Sequence, residues 1–244
     1  MKKLLAFLLG LAVAFYLISF LFTGPVSAAK DEVKLRVFVH YPNPHGKPVA
    51  DPCTATTNDQ VQDFGLAGWQ MPDVGVTYKI NYRTKPKNLS NSQVNNAISS
   101  SFATWHSADS KQIFNDGGPT SVKAAKYDGI NAILFKGASS SAIAITYVWY
   151  YVSSGQLAEV DTVFNKIYKW SYTAYNGTND CGGVANTFDI QNIGTHEFGH
   201  WVGLDDLYSS VDKDLTMYGY GDTSELKKDS LGAGDILGVN TITP

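Results

Sequence analysis

The stretch HEFGH at residues 196–200 constrains this chain more than any other feature of its sequence. On a helix, side chains four residues apart lie on one face about one turn apart, so His196 and His200 can bind the same metal ion. Glu197 directly follows the first histidine and is placed to take a proton from a water that the metal activates. Because imidazole nitrogens on a helix are typical zinc ligands, the stretch predicts a catalytic zinc site.

The residues after this stretch supply a helix end and a third ligand. Gly203 can adopt a positive φ, which lets the helix end there and turns the chain back under the metal. Asp206 follows three residues later, and we predict that its carboxylate completes the ligand set. Glu197 is not needed as a ligand, so the predicted site is catalytic rather than structural.

The complete pattern, HExxHxxGxxD, resembles the zinc-binding motif of the metzincin metalloproteases. The usual form of that motif has a third histidine where this chain has Asp206. The resemblance implies that His196, His200 and Asp206 bind zinc and that Glu197 is the general base. A carboxylate brings negative charge, so it should make the metal a slightly weaker Lewis acid than a third imidazole would. Asp205 is the competing third ligand, and the family spacing favours Asp206.

The segment LTMYGY at residues 215–220 looks like the metzincin Met-turn. In the family this turn places a methionine side chain beneath the metal without binding it, and Met217 has the corresponding position. A lone methionine is otherwise more often a core residue. The later residues 231–239 resemble the final helix of the family, which packs a small C-terminal subdomain below the cleft.

The region before the zinc motif predicts an α+β fold. Ser90 or Ser92 can cap a helix whose apolar residues recur at three- and four-residue spacing up to Trp105. Strands are predicted at residues 76–82, 130–135, 142–152 and 159–164. The last two should pair antiparallel. This order resembles the matrixin branch of the metzincins over residues 74–239, which implies a twisted mixed sheet, a backing helix and the zinc helix.

The resemblance also implies where a substrate binds. In the family, a strand at the edge of the sheet binds the substrate backbone as an additional strand. By position this edge strand would be residues 142–150. The alternative is that the aromatic residues of this run pack in the core. Alternate residues of a strand lie on opposite faces, so this interpretation is equally good for every second residue.

The N-terminus is predicted to be a secretory signal over residues 1–28. Lys2 and Lys3 precede an almost unbroken apolar run, and small residues at 26–28 suit cleavage. The run is long for a signal peptide, so an uncleaved membrane anchor is the alternative. In both cases the rest of the chain works outside the cytoplasm. The leader holds two lysines and no acid, so its removal changes the formal net charge from −3 to −5. An acidic chain without basic clusters is not a nucleic-acid binder.

Residues 29–73 are predicted to be a lead-in to a catalytic domain at residues 74–244. Within the lead-in, residues 33–39 alternate between apolar and charged side chains, as in a half-buried strand. Prolines follow and predict a loop up to about residue 68.

Cys53 and Cys181 are the two cysteines of the chain. An exported protein with two cysteines most often pairs them, so we predict a disulfide between them. The alternative is that Cys53 binds the zinc as an inhibitory fourth ligand, as the cysteine of a pro-segment does in matrix metalloproteases. The sequence around Cys53 does not match the motif of that family switch.

The sequence offers partial signals for two other kinds of metal site. Calcium is a possible second cofactor, although no twelve-residue calcium loop is present and solvated turns are the alternative. The candidate calcium ligands are Asp116, Asp128, Asn131, Glu159 and Asp161. The remaining histidines are too few and too scattered for a second, structural zinc, whose absence we predict; they are His40, His45 and His106.

Together these features predict a secreted, monomeric zinc endopeptidase that acts on proteins or peptides. The hypothesis from another functional class is a non-catalytic binding or inhibitor module on a metzincin scaffold. The presence of Glu197 argues against that alternative, because a zinc site kept only for structure does not need a proton acceptor.

Overall fold

One mixed β-sheet and the helices packed against it form the core of the protein. A computed structural model describes residues 31–44, 61–138, 141–174 and 182–242. The strands are β1 (Val33–Pro42), β2 (Val76–Ile80), β3 (Phe114–Pro119), β4 (Asn131–Lys136), β5 (Ala144–Tyr151), β6 (Leu157–Asn165), β7 (Trp170–Ser171), β8 (Phe188–Asp189) and β9 (Tyr220–Gly221). The α-helices of the described residues are α1 (Asn91–Ala108), α2 (Ile190–Val202) and α3 (Ala233–Ile242). The predicted α+β class is confirmed.

The sheet has seven strands in the order β3-β2-β4-β6-β5-β1-β9. Strands β3, β2, β4 and β6 pair with parallel neighbours. Strand β5 is antiparallel to β6, which confirms the predicted antiparallel pair. Strands β7 and β8 form a separate two-stranded sheet directly before α2.

Helix α1 begins where the sequence predicts. Ser90 is its N-cap, and its side chain and that of Gln93 form a reciprocal capping box. The face that α1 buries is formed by residues at helical spacing, namely Val94, Ala97, Ile98, Ser101, Phe102 and Trp105. This face packs against α2, so α1 supports the helix that carries the histidines.

The predicted edge strand is not at the edge of the sheet. Residues 142–150 were expected to bind substrate along an open edge, but β5 lies between β6 and β1. Strand β1 pairs with β5 along nearly its whole length, from Val33 opposite Tyr151 to His40 opposite Ala144. The prediction that this strand is an edge strand was wrong, because the lead-in supplies β1, which pairs with β5 on that side.

Strand β1 confirms the predicted strand in the lead-in, but its burial does not follow its apolar residues. Phe38 and His40 are buried, whereas Leu35 and Val37 are 50% and 43% exposed. The end of this strand that carries Phe38 and His40 therefore points these two side chains into the molecule. The compact unit begins at residue 32, so β1 belongs to the same unit as residues 74–242, and the predicted domain boundary at Val74 stays a prediction.

Helix α3 is tied to the Met-turn segment by one buried carboxylate. Asp235 accepts hydrogen bonds from the backbone N–H groups of Thr216 (2.8 Å), Met217 (3.1 Å) and Gly232 (2.8 Å). Because a buried carboxylate must be hydrogen-bonded to be stable, Asp235 holds the turn and the start of α3 together. The C-terminal helix expected at residues 231–239 is present as Ala233–Ile242, and it contacts α1.

Several predictions concern residues outside those that the structure describes. The leader at residues 1–28 and both cysteines, Cys53 and Cys181, are among them. The signal peptide and the disulfide therefore stay predictions. Within the described part of the chain, none of the helices has the length and apolar character needed to cross a membrane.

Candidate metal centre

Helix α2 is built so that its end lies under the predicted site. Its N-cap is Asp189, whose side chain accepts hydrogen bonds from the amides of Gln191 and Asn192. It ends at Gly203, which has a φ of 109°. A side chain there would be strained, and a Cβ would lie 2.2 Å from the carbonyl oxygen of Trp69. The chain therefore turns at Gly203 as predicted and returns beneath the helix.

The turn brings Asp206 to the two histidines. Asp206 Oδ1 lies 3.2 Å from His196 Nε2 and 3.5 Å from His200 Nε2. All three atoms are buried, and none has a hydrogen-bond partner among the described residues outside this set. Ligand atoms about 2.1 Å from a tetrahedral zinc ion would lie about 3.4 Å apart. The set therefore fits one zinc ion in both donor chemistry and spacing.

Both imidazoles are held with the same nitrogen facing the set. His196 Nδ1 lies 2.8 Å from the carbonyl oxygen of Thr216, and His200 Nδ1 lies 2.9 Å from that of Leu204. Each backbone carbonyl accepts a hydrogen bond from Nδ1–H, so the proton is on Nδ1 and the lone pair is on Nε2. Burial lowers the pKa of His196 to about 4, so its imidazole is neutral at pH 7.

Glu197 lies beside the set without joining it. Its side chain is fully buried, and its Oε2 accepts a hydrogen bond from Thr146 Oγ1 at 2.5 Å. Thr146 in turn lies 2.8 Å from Thr162 Oγ1, which accepts from Trp201 Nε1 at 3.0 Å. Burial raises the pKa of Glu197 to about 8. A carboxyl group held in place with a raised pKa is suited to take and release a proton near neutral pH.

These features occur in the part of the chain that matches a known family. The family model described as matrixin matches residues 68–243. The chain belongs to the matrixin family. Matrixins are zinc metallopeptidases that act on proteins, and the metal-binding set lies within the matched region. A comparison with curated proteins finds no match.

Of the two aspartates that compete for the third position in this matrixin, the structure brings only Asp206 to the histidines. Asp205 Oδ2 lies 2.6 Å from Arg36 Nη2. Tyr208 O–H donates to the other oxygen of Asp206, Oδ2, at 3.2 Å, which leaves Oδ1 directed at the histidines. The geometry thus agrees with the family spacing.

Met217 lies directly beneath the histidine helix, as expected for a Met-turn. It is buried, and a Cβ on Gly199 would lie 2.1 Å from its Sδ and 2.9 Å from Trp105 Cζ2. The absence of a side chain at position 199 therefore lets the methionine pack against the helix between the two histidines.

We expect Gly199→Ala to destabilise the fold by about 1–3 kcal/mol, because the added methyl group must displace Met217 and the indole of Trp105. Urea unfolding measures this effect. Gly137→Ala is the control, since nothing lies within 4 Å of a Cβ at that position. If both alanine variants unfold at the same urea concentration, the close packing of Met217 under the helix is refuted.

Thr146→Val should cost about 1–3 kcal/mol of unfolding free energy, because it removes the hydroxyl group that binds Glu197 Oε2 in a buried network. Thr146→Ser keeps the hydroxyl group and loses one methyl group, so its cost should be about 0.8 kcal/mol. Chemical denaturation of the two variants compares them. A serine variant as unstable as the valine variant would show that packing, not the hydrogen bond, accounts for the loss.

The calcium prediction finds no support in the structure. Glu159 accepts hydrogen bonds from the amides of Asp128 and Gly129, and Asp161 accepts from those of Lys126 and Ala132. These carboxylates hold the loop before β4, which is a structural role. Among the described residues, the groups spaced to hold a metal all include His196.

Sequence reasoning missed two residues that contact the site. His40 was counted among the scattered histidines, yet its ring lies against that of His196 at 3.8 Å between centroids. Phe38 stacks on His200, also with centroids 3.8 Å apart. The available signal was the alternation of β1, which puts residues 38 and 40 on one face. Nothing in the sequence showed that this face would meet the histidines.

Proposed function

We propose that the protein is an exported zinc endopeptidase in which His196, His200 and Asp206 bind the metal and Glu197 is the general base. The observation that supports this proposal is the convergence of three buried ligand atoms. Asp206 Oδ1 lies 3.2 Å from His196 Nε2 and 3.5 Å from His200 Nε2. The carboxyl group of Glu197 lies beside them. Buried nitrogen and oxygen atoms lack hydrogen-bond partners only where a bound ligand, such as a metal ion, compensates the cost of removing them from water.

Zinc at this set would supply Lewis acidity, which lowers the pKa of a water toward neutrality and polarises the scissile carbonyl group. Glu197 takes the proton of the attacking water and delivers it to the leaving nitrogen. Thr146 fixes one oxygen of Glu197, so the other oxygen, Oε1, is the one that exchanges the proton.

We further propose that residues 1–28 direct export, that a lead-in covers residues 29–73 and that the catalytic domain covers residues 74–244. The exported chain would be a monomer with a disulfide between Cys53 and Cys181. N-terminal sequencing of the exported form tests the cleavage, and its mass before and after reduction and alkylation tests the disulfide. A chain that retains Lys2 and Lys3 would instead support an uncleaved anchor.

The test of the function is zinc content measured together with peptide hydrolysis. We expect one equivalent of zinc per chain, hydrolysis that stops when a chelator removes the metal, and recovery when zinc is returned. Hydrolysis that continues without metal would refute the proposal. One bound zinc without hydrolysis under any condition would support a non-catalytic binding module instead.

A further inference from the structure

Lys228 carries a fully buried ammonium group that the proposed mechanism does not use. It lies in the short turn Lys227–Asp229, and its side chain is 0% exposed. Its Nζ donates to the carbonyl oxygens of Tyr218 and Tyr220, the second at 3.0 Å. Among the described residues, no carboxylate oxygen lies within ion-pair distance of this nitrogen. Because burying an unpaired charge is costly, the stability of the fold does not explain a lysine at this position.

The neighbouring Lys227 has a different arrangement. Its Nζ lies 3.5 Å from Asp214 Oδ1 and 3.6 Å from Glu225 Oε1, and it donates to the carbonyl oxygen of Lys213 at 2.6 Å. Two carboxylates therefore balance the charge of Lys227 locally. The charge of Lys228 is not balanced by an adjacent carboxylate, so its field acts on the buried groups around it.

Lys228 lies beside the face of α2 that carries the histidines. Its backbone amide donates to Asn192 Oδ1 at 2.8 Å. Asn192 precedes His196 by four residues, and His196 precedes His200 by four, so the three side chains lie on one face of the helix. The turn that carries Lys228 is therefore attached to α2 about one helical turn from the first metal ligand.

Residues 216–221 supply the carbonyl groups that Lys228 binds, and they also contact the metal-binding set. The carbonyl oxygen of Thr216 accepts a hydrogen bond from His196 Nδ1 at 2.8 Å. Met217 packs against the helix between the two histidines. The ammonium group is therefore held close to the first ligand, in a part of the protein from which water is excluded.

Lys228 is charged at neutral pH and interacts with the ligand set through space. Burial lowers the pKa of Lys228 to about 8, so the ammonium form predominates at pH 7. After burial, the groups whose charges act on this pKa are Glu225, Lys227, Asp206 and Asp235. The carboxylate of Asp206, the proposed third ligand, is thus among the groups that stabilise the ammonium form.

We propose that Lys228 is a positioning residue of the metal centre whose positive charge offsets the negative charge that Asp206 brings as the third ligand. This inference rests on the ligand set of the proposed function. Two imidazoles and a carboxylate form a set with one negative charge, whereas three imidazoles form a neutral set. A buried ammonium group beside the set restores the difference, so zinc there retains the Lewis acidity of a centre with three imidazoles.

This role and a purely structural role predict opposite changes in zinc affinity. If the ammonium group only holds the carbonyl groups of Tyr218 and Tyr220, its loss loosens the centre and weakens zinc binding. If its charge acts on the metal, its loss removes a repulsion between two cations, and zinc binds more tightly. The direction of the change therefore distinguishes the two roles.

The test compares Lys228→Gln with Lys227→Gln in the full chain. Each variant loses one positive charge from the same turn, and glutamine keeps an N–H donor for the carbonyl groups. Competition with a chelator of known affinity measures zinc binding at about pH 6.5, where Lys228 is charged because its pKa is about 8. Urea unfolding verifies that both variants are folded.

We expect Lys228→Gln to bind zinc at least about tenfold more tightly than the unaltered chain. Lys227→Gln should bind zinc within about twofold of the unaltered chain, because carboxylates already balance the charge of Lys227. Equal or weaker zinc binding by a folded Lys228→Gln chain would overturn the proposal.

A measurement on the unaltered chain decides the question if Lys228→Gln does not fold. Coupling between two sites is reciprocal, so if the charge of Lys228 weakens zinc binding about tenfold, its pKa must fall by about one when zinc binds. Nuclear magnetic resonance of nitrogen-labelled lysine side chains follows this titration with and without zinc. A pKa of Lys228 that is the same in both states would contradict the proposed charge effect.

Zinc affinity does not depend on turnover, so this inference and the peptidase function can fail separately. If Lys228→Gln binds zinc more tightly but no zinc-loaded chain hydrolyses peptides, the role of Lys228 holds and the peptidase function is wrong. If the unaltered chain hydrolyses peptides and the two glutamine variants bind zinc equally, the peptidase function holds and the role of Lys228 is wrong.

Discussion

Replacing Glu197 with glutamine is expected to leave zinc binding intact and to lower kcat by about 10²–10⁴-fold, the range that a positioned general acid–base contributes. Glutamine has nearly the same shape and can still accept the hydrogen bond from Thr146, but it cannot take a proton from water. The measurement is kcat with a peptide substrate for the glutamine variant and for the unaltered chain. Zinc content is measured on the same samples.

The control for this experiment is the unaltered chain. Equal zinc content in both chains assigns the loss of kcat to the carboxyl group rather than to the metal. Turnover retained in the glutamine variant would show that another group exchanges the proton, and the role assigned to Glu197 would have to be withdrawn.

The second large effect is expected at the third ligand. Asp206→Ala should weaken zinc binding at least about 100-fold. The loss of a residue that only hydrogen-bonds to a ligand costs up to about 100-fold in metal affinity, and the loss of a ligand itself should cost at least as much. Asp205→Ala should leave zinc affinity nearly unchanged, because Asp205 pairs with Arg36 and not with the histidines. Competition with a chelator of known affinity measures both values.

The two neighbouring aspartates are a matched pair, since each variant loses one carboxylate from the same loop. The Arg36 pair is partly exposed, so its loss should cost no more than about 1 kcal/mol of stability. A larger loss of zinc affinity in Asp205→Ala than in Asp206→Ala would reverse the assignment of the third ligand.

Much of the metal centre could be predicted from sequence because its geometry is local. The spacing puts His196 and His200 on one helix face, and a glycine three residues later lets the helix end there. Together they restrict where the chain can run after the helix. The structure agrees, with Gly203 at positive φ and Asp206 Oδ1 within 3.5 Å of both imidazoles. Helix α1 was predictable for the same reason, since its capping box and apolar spacing are properties of a short segment.

The position of β1 could not be predicted because it depends on contacts between segments far apart in the chain. Alternation identifies a strand but does not say which neighbour it pairs with. Nor does alternation say which face is buried, and the apolar side chains of Leu35 and Val37 lie on the exposed face. Only the pairing of β1 with β5 shows that Phe38 and His40 lie over the histidines. Likewise, Thr146 is an ordinary strand residue in the sequence, and its bond to Glu197 appears only when β5 lies beside α2.

X-ray absorption at the zinc edge of the full chain tests the central claim most directly, because it reports the atoms bound to the metal. We expect two imidazole nitrogens together with oxygen ligands at about 2.0–2.2 Å, and no sulfur. A sulfur ligand at about 2.3 Å would place Cys53 or Cys181 on the metal. That result, or a spectrum with fewer than two imidazoles, would contradict a centre formed by His196, His200 and Asp206.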